Sequence, residues 1–337
     1  MSSTARIHAI PTLAQLAQLF PKRKVLVVGD LVADHYIYGQ TDRVSREAPV
    51  LIVRYESSEV KLGGAANAAA NARSLGGQVV AVGALGVDEM GHQLRRRFKS
   101  AGIKLMALSS RNLETETKTR ILAGGVNTTR QQMLRLDRGA APLQSRHRVE
   151  IARLTAEAAR NADAVVVSDY GGGVVGEECR QVLRQLALDG IPVCVDSRFQ
   201  LRAFSGVTVC KPNEPELESL VRSSLKTERD VVQAGRSALK MLGCQALLIT
   251  RGRNGVAILD RDGRVELIPA YGPEEAVDVT GAGDTVIAAF TLALSAGANM
   301  LDAARIANVA AGLVVQKQGT ATVARDELLR QLSRSKA

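Results

Sequence analysis

Lys24-Val25-Leu26-Val27-Val28-Gly29 is a continuous apolar run closed by glycine, the pattern of a strand buried on both faces. The pattern returns at Ala164-Val165-Val166-Val167, Pro192-Val193-Cys194-Val195 and Ala246-Leu247-Leu248-Ile249. Stretches of helical periodicity, including 176–189 and 229–242, separate these runs. Strands alternating with helices predict an α/β fold, a mostly parallel sheet covered on both sides.

Two regions break the rhythm. Residues 36–55 and 117–135 carry short β-rich pieces, Tyr36-Ile37-Tyr38, Val50-Leu51-Ile52-Val53 and Thr119-Arg120-Ile121-Leu122. With no helix between close neighbours, they predict a small sheet projecting over the ends of the main strands as a lid. No internal repeat, low-complexity tract or linker divides the chain. A single domain over 11–330 is expected, with 1–10 and 331–337 loosely held.

The 337 residues carry a formal charge of +10, but aromatic residues make up 3% and tryptophan is absent. Stacking platforms for nucleic acid are therefore scarce, and no nucleic-acid partner is expected. No apolar run approaches the roughly 20 residues of a membrane span, and no signal-peptide core stands at the start, so a cytoplasmic location and no membrane partner are expected. Cys179, Cys194, Cys210 and Cys244 lack metal-ligand spacing, and three sit in apolar runs, so all four read as reduced core thiols. Lys118 to Arg138 is unusually basic, with five cations against one acid.

The strongest local signal is Asp278-Val279-Thr280-Gly281-Ala282-Gly283-Asp284-Thr285, followed at once by the apolar Val286-Ile287-Ala288-Ala289-Phe290. Glycines let the backbone N–H groups converge, and a helix starting there adds its positive end, which suits an anion. Asp284 in such a site is either an ordinary first-turn helix acid or a group that handles a proton. A dinucleotide fingerprint would need a third glycine where Val286 stands, and no Gly-x-x-x-x-Gly-Lys-[Ser/Thr] sequence occurs. A second signal, Lys61-Leu62-Gly63-Gly64-Ala65-Ala66-Asn67, places a glycine pair at the mouth of an Ala-rich helix, with Asn67 able to aim an amide at a polyol.

Gly63-Gly64-x-x-Asn67, Asn213-x-x-Glu216 and Asp278-x-Thr280-Gly281-Ala282-Gly283-Asp284, in that order, resemble the ribokinase-like (PfkB) carbohydrate kinases over about residues 20–325. The resemblance is closest to the branch acting on D-glycero-β-D-manno-heptose 7-phosphate. It rests on Gly29-Asp30-Leu31-Val32-Ala33-Asp34-His35-Tyr36, Arg43-Val44-Ser45-Arg46-Glu47-Ala48-Pro49-Val50, Thr117-Lys118-Thr119-Arg120, Leu134-Arg135-Leu136-Asp137 and Ser168-Asp169-Tyr170. One departure stands out: a lysine is expected soon after Tyr170, where this chain has Gly171-Gly172-Gly173.

The resemblance implies a three-layer α/β/α ribokinase-like fold with a β-sheet lid, ATP and Mg²⁺ as cofactors, a sugar phosphate substrate and a homodimer formed through the lids. Asp284 is implied as general base, with the N–H groups of Gly281, Ala282 and Gly283 stabilising the transferring phosphoryl group. Asn213 and Glu216 are implied on the metal and phosphates, through water. Thr250, Gly252 and Asn308 fall at the nucleotide. Asp30, Gly63, Gly64 and Asn67 fall at the sugar, and Lys118, Arg120 and Arg138 are implied holders of a phosphate already on it. The relatives in this branch are often fused to a nucleotidyltransferase; this chain looks like the stand-alone form. A non-catalytic sugar or nucleotide sensor would need no base. His35, His92 and His147 receive no role.

Overall fold

The computed structural model describes residues 11–125, 129–139, 143–273 and 275–334. The first strand, β1 (Lys24–Gly29), is buried from Val25 onward. Its side chains alternate between two cores: Val25 and Val27 enter one, Leu26 and Val28 the other. That division is what a strand with helices on both faces requires.

Two long strands follow directly, β2 (Leu31–Val44) and β3 (Leu51–Gly64). Then come β4 (Gln78–Gly86), β5 (Lys104–Ser110), β6 (Thr117–Gly124), β7 (Gln131–Arg138), β8 (Ala164–Asp169) and β9 (Val193–Ser197). The last are β10 (Val209–Cys210), β11 (Ala246–Thr250), β12 (Val256–Asp260) and β13 (Val265–Ile268). Among the described residues these form a nine-stranded sheet in the order β13-β12-β11-β10-β9-β8-β1-β4-β5 and a four-stranded sheet in the order β3-β2-β6-β7. The large sheet is parallel from β11 to β5, with β12 and β13 added antiparallel at one edge.

One helical layer contains α1 (Leu13–Gln18), α2 (Ala65–Ser74), α3 (Glu89–Ser100), α8 (Ala282–Ser295), α9 (Met300–Val314) and α10 (Arg325–Arg334). The other contains α4 (Ser145–Ala159), α5 (Glu177–Leu188), α6 (Glu214–Val221) and α7 (Glu228–Leu242). The α8 helix is buried on every side from Asp284 to Ala293. Its neighbour α2 presents alanines buried in the same core, whose small side chains allow close helix packing. The three-layer α/β/α fold with a small separate sheet is thus the one expected.

The lid strands are longer than expected: β2 and β3 run 14 residues each, and β3 carries the chain through Gly63-Gly64 into α2. Residues 331–334, expected to be loose, belong to α10, where Leu332 packs into the core with 5% exposure. The expectations for 1–10 and 335–337, and for 126–128 of the lid, lie outside the described residues. All four cysteines are buried free thiols, and no helix among the described residues is long and apolar enough to cross a membrane.

Candidate active site

The chain leaves β1 for β4 and β5 on one side and returns to β8 and β9 on the other. This reversal opens a crevice beyond the carboxyl ends of β1 and β8, where open parallel sheets bind ligands. Asp30 stands there, 2% exposed. Its carboxylate accepts from the N–H groups of Tyr170 (2.6 Å), Gly172 (3.1 Å) and Val174 (3.4 Å). Asp30 therefore anchors the turn after β8 rather than presenting an open carboxylate to a sugar. Burial, with the neighbouring Asp169 charge, pushes its pKa up to about 6.

The same contact bears on the glycines that stand where a lysine is expected. A Cβ at Gly172 would lie 2.7 Å from Asp30 Oδ1 and 3.1 Å from Glu116 Oε2, so a side chain there would crowd the Asp30 carboxylate, whereas nothing lies within 4 Å of a Cβ at Gly173.

Asp284 lies in the first turn of α8, 3% exposed. Asn67 Nδ2 donates to its Oδ2 at 2.8 Å and the Tyr170 hydroxyl donates to its Oδ1 at 3.1 Å. Burial is the largest influence on the Asp284 carboxyl and Asp196 adds to it; the two hydrogen bonds and Lys211 oppose them, leaving a pKa of about 7. A carboxylate poised near neutrality accepts a proton far more readily than an ordinary one. Gly281 precedes the helix at φ 77°, and a Cβ there would stand 2.5 Å from Asn67 Nδ2. Glycine is required for both reasons.

Asn67 departs from its expected role. Its amide nitrogen is directed at Asp284, not at an open sugar site, because α2 and α8 pack side by side. Asn71, one turn along α2, donates to Asn67 Oδ1 (3.1 Å) and accepts from Thr285 Oγ1 (2.9 Å). Thr285, Asn71, Asn67 and Asp284 thus form a continuous buried chain. Gly64, the last residue of β3, caps α2 at φ 57°, and Gly63 lies against Asp34.

Asn213 and Glu216 build a reciprocal cap on α6: Asn213 Oδ1 accepts from Glu216 N at 2.8 Å, and Asn213 N donates to Glu216 Oε2 at 2.9 Å. Burial raises the Glu216 pKa, against the opposing pull of the Asn213 N–H and Lys211. Beside this cap lies Lys211, 3% exposed, with Nζ 3.0 Å from Asp196 Oδ2. Burial alone would lower the Lys211 pKa, but Asp196, helped by Glu216 and Asp284, raises it, so the buried ammonium is charged. Among the described residues no cluster of three His, Cys, Asp or Glu side chains is placed to cage a metal.

A cavity of about 1070 Å³ gathers Asn213, Thr250, Gly252, Ala282, Gly283 and Asn308 along its wall. Thr250 ends β11 and bridges to Asn213, and Gly252 lies in the loop joining β11 to β12. Asn308 Nδ2 donates to the Pro269 carbonyl at 2.7 Å. The cavity is bounded by the start of α8 at Ala282 and Gly283 and by Ala311 and Val315 of the α9 region, so a helix N-terminus suited to phosphate and apolar side chains suited to a base both line it.

The small sheet covers the crevice. Lys118 pairs with Glu116 at 3.5 Å, and its Nζ lies 4.8 Å from the centroid of the Tyr170 ring, directly above the residue that touches Asp284. Arg120 donates to Asp34 Oδ1 at 2.5 Å and lies over the Tyr36 ring. Arg138 does not join them. It pairs with Thr117 in the β6–β7 register, one residue out of phase with Lys118, so strand alternation points it to the opposite face. There it acts, after burial, to lower the His35 pKa.

Sequence reasoning overlooked Tyr170, Lys211, Asp196 and Asp34. The first three stand at the carboxyl ends of β8, β10 and β9, the edge where parallel sheets place functional groups. That rule alone would have singled them out.

A buried carboxylate tuned to neutrality, at a glycine-led helix start facing a nucleotide-sized cavity, defines a phosphotransferase-type site on an α/β sheet with a β lid. The chain matches the pfkB family carbohydrate kinase model over residues 22–327 and belongs to that family, so it is a sugar kinase transferring phosphate to an alcohol acceptor. Among curated proteins it is 40% identical over 315 residues to the bifunctional protein HldE of Hahella chejuensis, covering 93% of this chain. It is 36% identical over 308 residues to HldE of Nitratiruptor sp., covering 91% of this chain. In both cases it spans 64% of the relative's length. Among solved structures, Arabidopsis thaliana ribokinase complexed with ribose and ATP superposes with a TM-score of 0.72 at 23% identity, over 92% of this chain and 98% of that one. Escherichia coli phosphofructokinase-2 in complex with potassium gives 0.76 at 20%, over 93% and 99%; these two likenesses show the fold.

Proposed function

We propose that this kinase transfers the γ-phosphoryl group of ATP to the anomeric hydroxyl of D-glycero-β-D-manno-heptose 7-phosphate, giving the 1,7-bisphosphate. Such a product feeds nucleotide-activated heptose, ADP- or GDP-linked, for lipopolysaccharide core synthesis in the cytoplasm. The observation that carries the reading is the pair Lys118 and Arg120, on the lid face above Tyr170 and Asp284. An acceptor held with its reacting hydroxyl at Asp284 would extend toward the lid, where two cations suit a phosphate at its far end. The heptose-branch stretches in β2, β6 and β7 and the similarity to bifunctional HldE proteins support the same substrate.

In this reading Asp284 takes the proton of the attacking hydroxyl, while Asn67 and Tyr170 hold its two oxygens in place. The N–H groups at Gly281 and Gly283, with the α8 dipole, stabilise charge on the moving phosphoryl group, whereas the Ala282 N–H, implied beside them by the resemblance, donates to the Val279 carbonyl at 3.2 Å. Glu216 and Asn213 offer the oxygen donors a hard cation takes and would hold Mg²⁺ brought with ATP, which would supply neutralisation of phosphate charge. The lid also leaves Leu134 and Leu136 57% and 53% exposed, and we assign this apolar face to a homodimer contact.

Coupled-assay turnover on heptose 7-phosphate, the free heptose, fructose 6-phosphate and ribose tests the substrate. The heptose phosphate is expected to have the highest kcat/KM. Equal or better turnover of unphosphorylated sugars would overturn the phosphate-handle reading.

A further inference from the structure

Lys211 is the one lysine that is buried among the described residues, and neither the sequence motifs nor the family resemblance assigns it a task. A buried ammonium is expensive unless it is paired, and Asp196 pairs it at 3.0 Å. The surroundings say what else it faces. A Cβ built on Gly283 would lie 3.4 Å from Lys211 Nζ, so the ammonium stands at the glycine turn that opens α8. Asp284 and Glu216 both feel its charge.

We propose that Lys211, just past the end of β10 and held by Asp196 of β9, is the cation that neutralises the transferring phosphoryl group. The inference rests on the reading of the α8 N-terminus as the phosphoryl-transfer site. In the step itself, the bond from Pγ to the oxygen bridging it to ADP breaks and a bond from the sugar oxygen to Pγ forms. The hydroxyl proton passes to Asp284. Lys211 keeps its proton throughout and acts through charge and hydrogen bonds to phosphoryl oxygens. Asp196 is a positioning residue: it fixes the ammonium without spending its remaining N–H donors. Placement on the end of a sheet strand gives that charge a rigid mount, which favours stabilisation of the transition state over general attraction of nucleotide.

The test compares Lys211→Met, Lys211→Arg and the double variant Asp196→Asn/Lys211→Met, the last leaving no unpaired buried carboxylate. Two quantities are read: kcat with whichever sugar the wild-type enzyme turns over, and the affinity for ADP alone against ADP with beryllium fluoride, a γ-phosphoryl mimic that needs no sugar. Lys211→Met is expected to lower kcat ~100-fold and to abolish most of the gain in affinity that beryllium fluoride confers, with ADP binding within about threefold of wild type. Lys211→Arg should recover part of both. The double variant should regain thermal stability but not kcat. A Lys211→Met or double variant with wild-type kcat and an undiminished beryllium fluoride effect overturns the proposal. If beryllium fluoride confers no gain on the wild-type protein, the phosphoryl-site reading beneath it has failed instead.

Discussion

Asn67 donates to Asp284 across 2.8 Å of space and 217 positions of sequence, and Tyr170 holds the other oxygen of the same carboxylate. The carboxylate is therefore fixed from three elements: α2, α8 and the turn after β8. Replacement of Asp284 by Asn preserves shape and removes the proton acceptor. ATP binding measured by calorimetry should persist while kcat falls by ~10²–10⁴; near-normal turnover would take Asp284 out of the mechanism.

Asp284 must be ionised to act, and its pKa is about 7. The acid limb of kcat/KM should accordingly bend near pH 7 and fall tenfold per unit below it. The Tyr170 hydroxyl lowers that pKa by hydrogen bonding. In Tyr170→Phe the bend should move to higher pH, whereas an unmoved profile would show that the limb belongs to another group.

The raised pKa of Asp284 affects stability as well. Between pH 4 and 7 the folded protein keeps a proton on Asp284 that the unfolded chain, with an ordinary carboxyl near 3.8, has released. Stability from this group is complete at acid pH and declines as pH rises through that window, by roughly a few kcal/mol. The melting temperature of Asp284→Asn relative to wild type should then be higher at pH 8 than at pH 5. A difference independent of pH would contradict the assignment.

Lys118→Met and Arg120→Met are expected to raise KM for a phosphorylated sugar about tenfold or more each, while leaving a free sugar nearly untouched. Arg138→Met, on the opposite face of the lid, should leave that preference unchanged. Steady-state assays on paired phosphorylated and free sugars separate the three.

Leu134 and Leu136 stand on alternate positions of β7, both more than half exposed. Leu134→Glu/Leu136→Glu should convert a dimer to a monomer in sedimentation or light scattering. An unchanged mass would place the subunit contact elsewhere.

Much of the architecture was legible because its causes are local. Val25 to Val28 and Val165 to Val167 are apolar at every position, which only a strand covered on both faces tolerates. The turn Gly281-Ala282-Gly283 before a run of apolar residues marks a helix start wherever it is placed. By contrast, the two residues of β10 are too few to show a period, and the lid strands reach past their β-rich centres because pairing with neighbours extends them.

The sequence by itself determined the layered α/β fold, the family and the place of the carboxylate proposed as base, since periodicity and glycine chemistry act over a few residues. Only the tertiary structure decided what surrounds that base. Asn67 faces Asp284 because two alanine-lined helices pack closely; Asp30 is consumed by the turn at 170–174; Arg138 is turned away by strand phase; and Lys211 is carried to Gly283 by the order of strands in the sheet. Each depends on the distance between segments far apart in the chain, a quantity set by packing and sheet register.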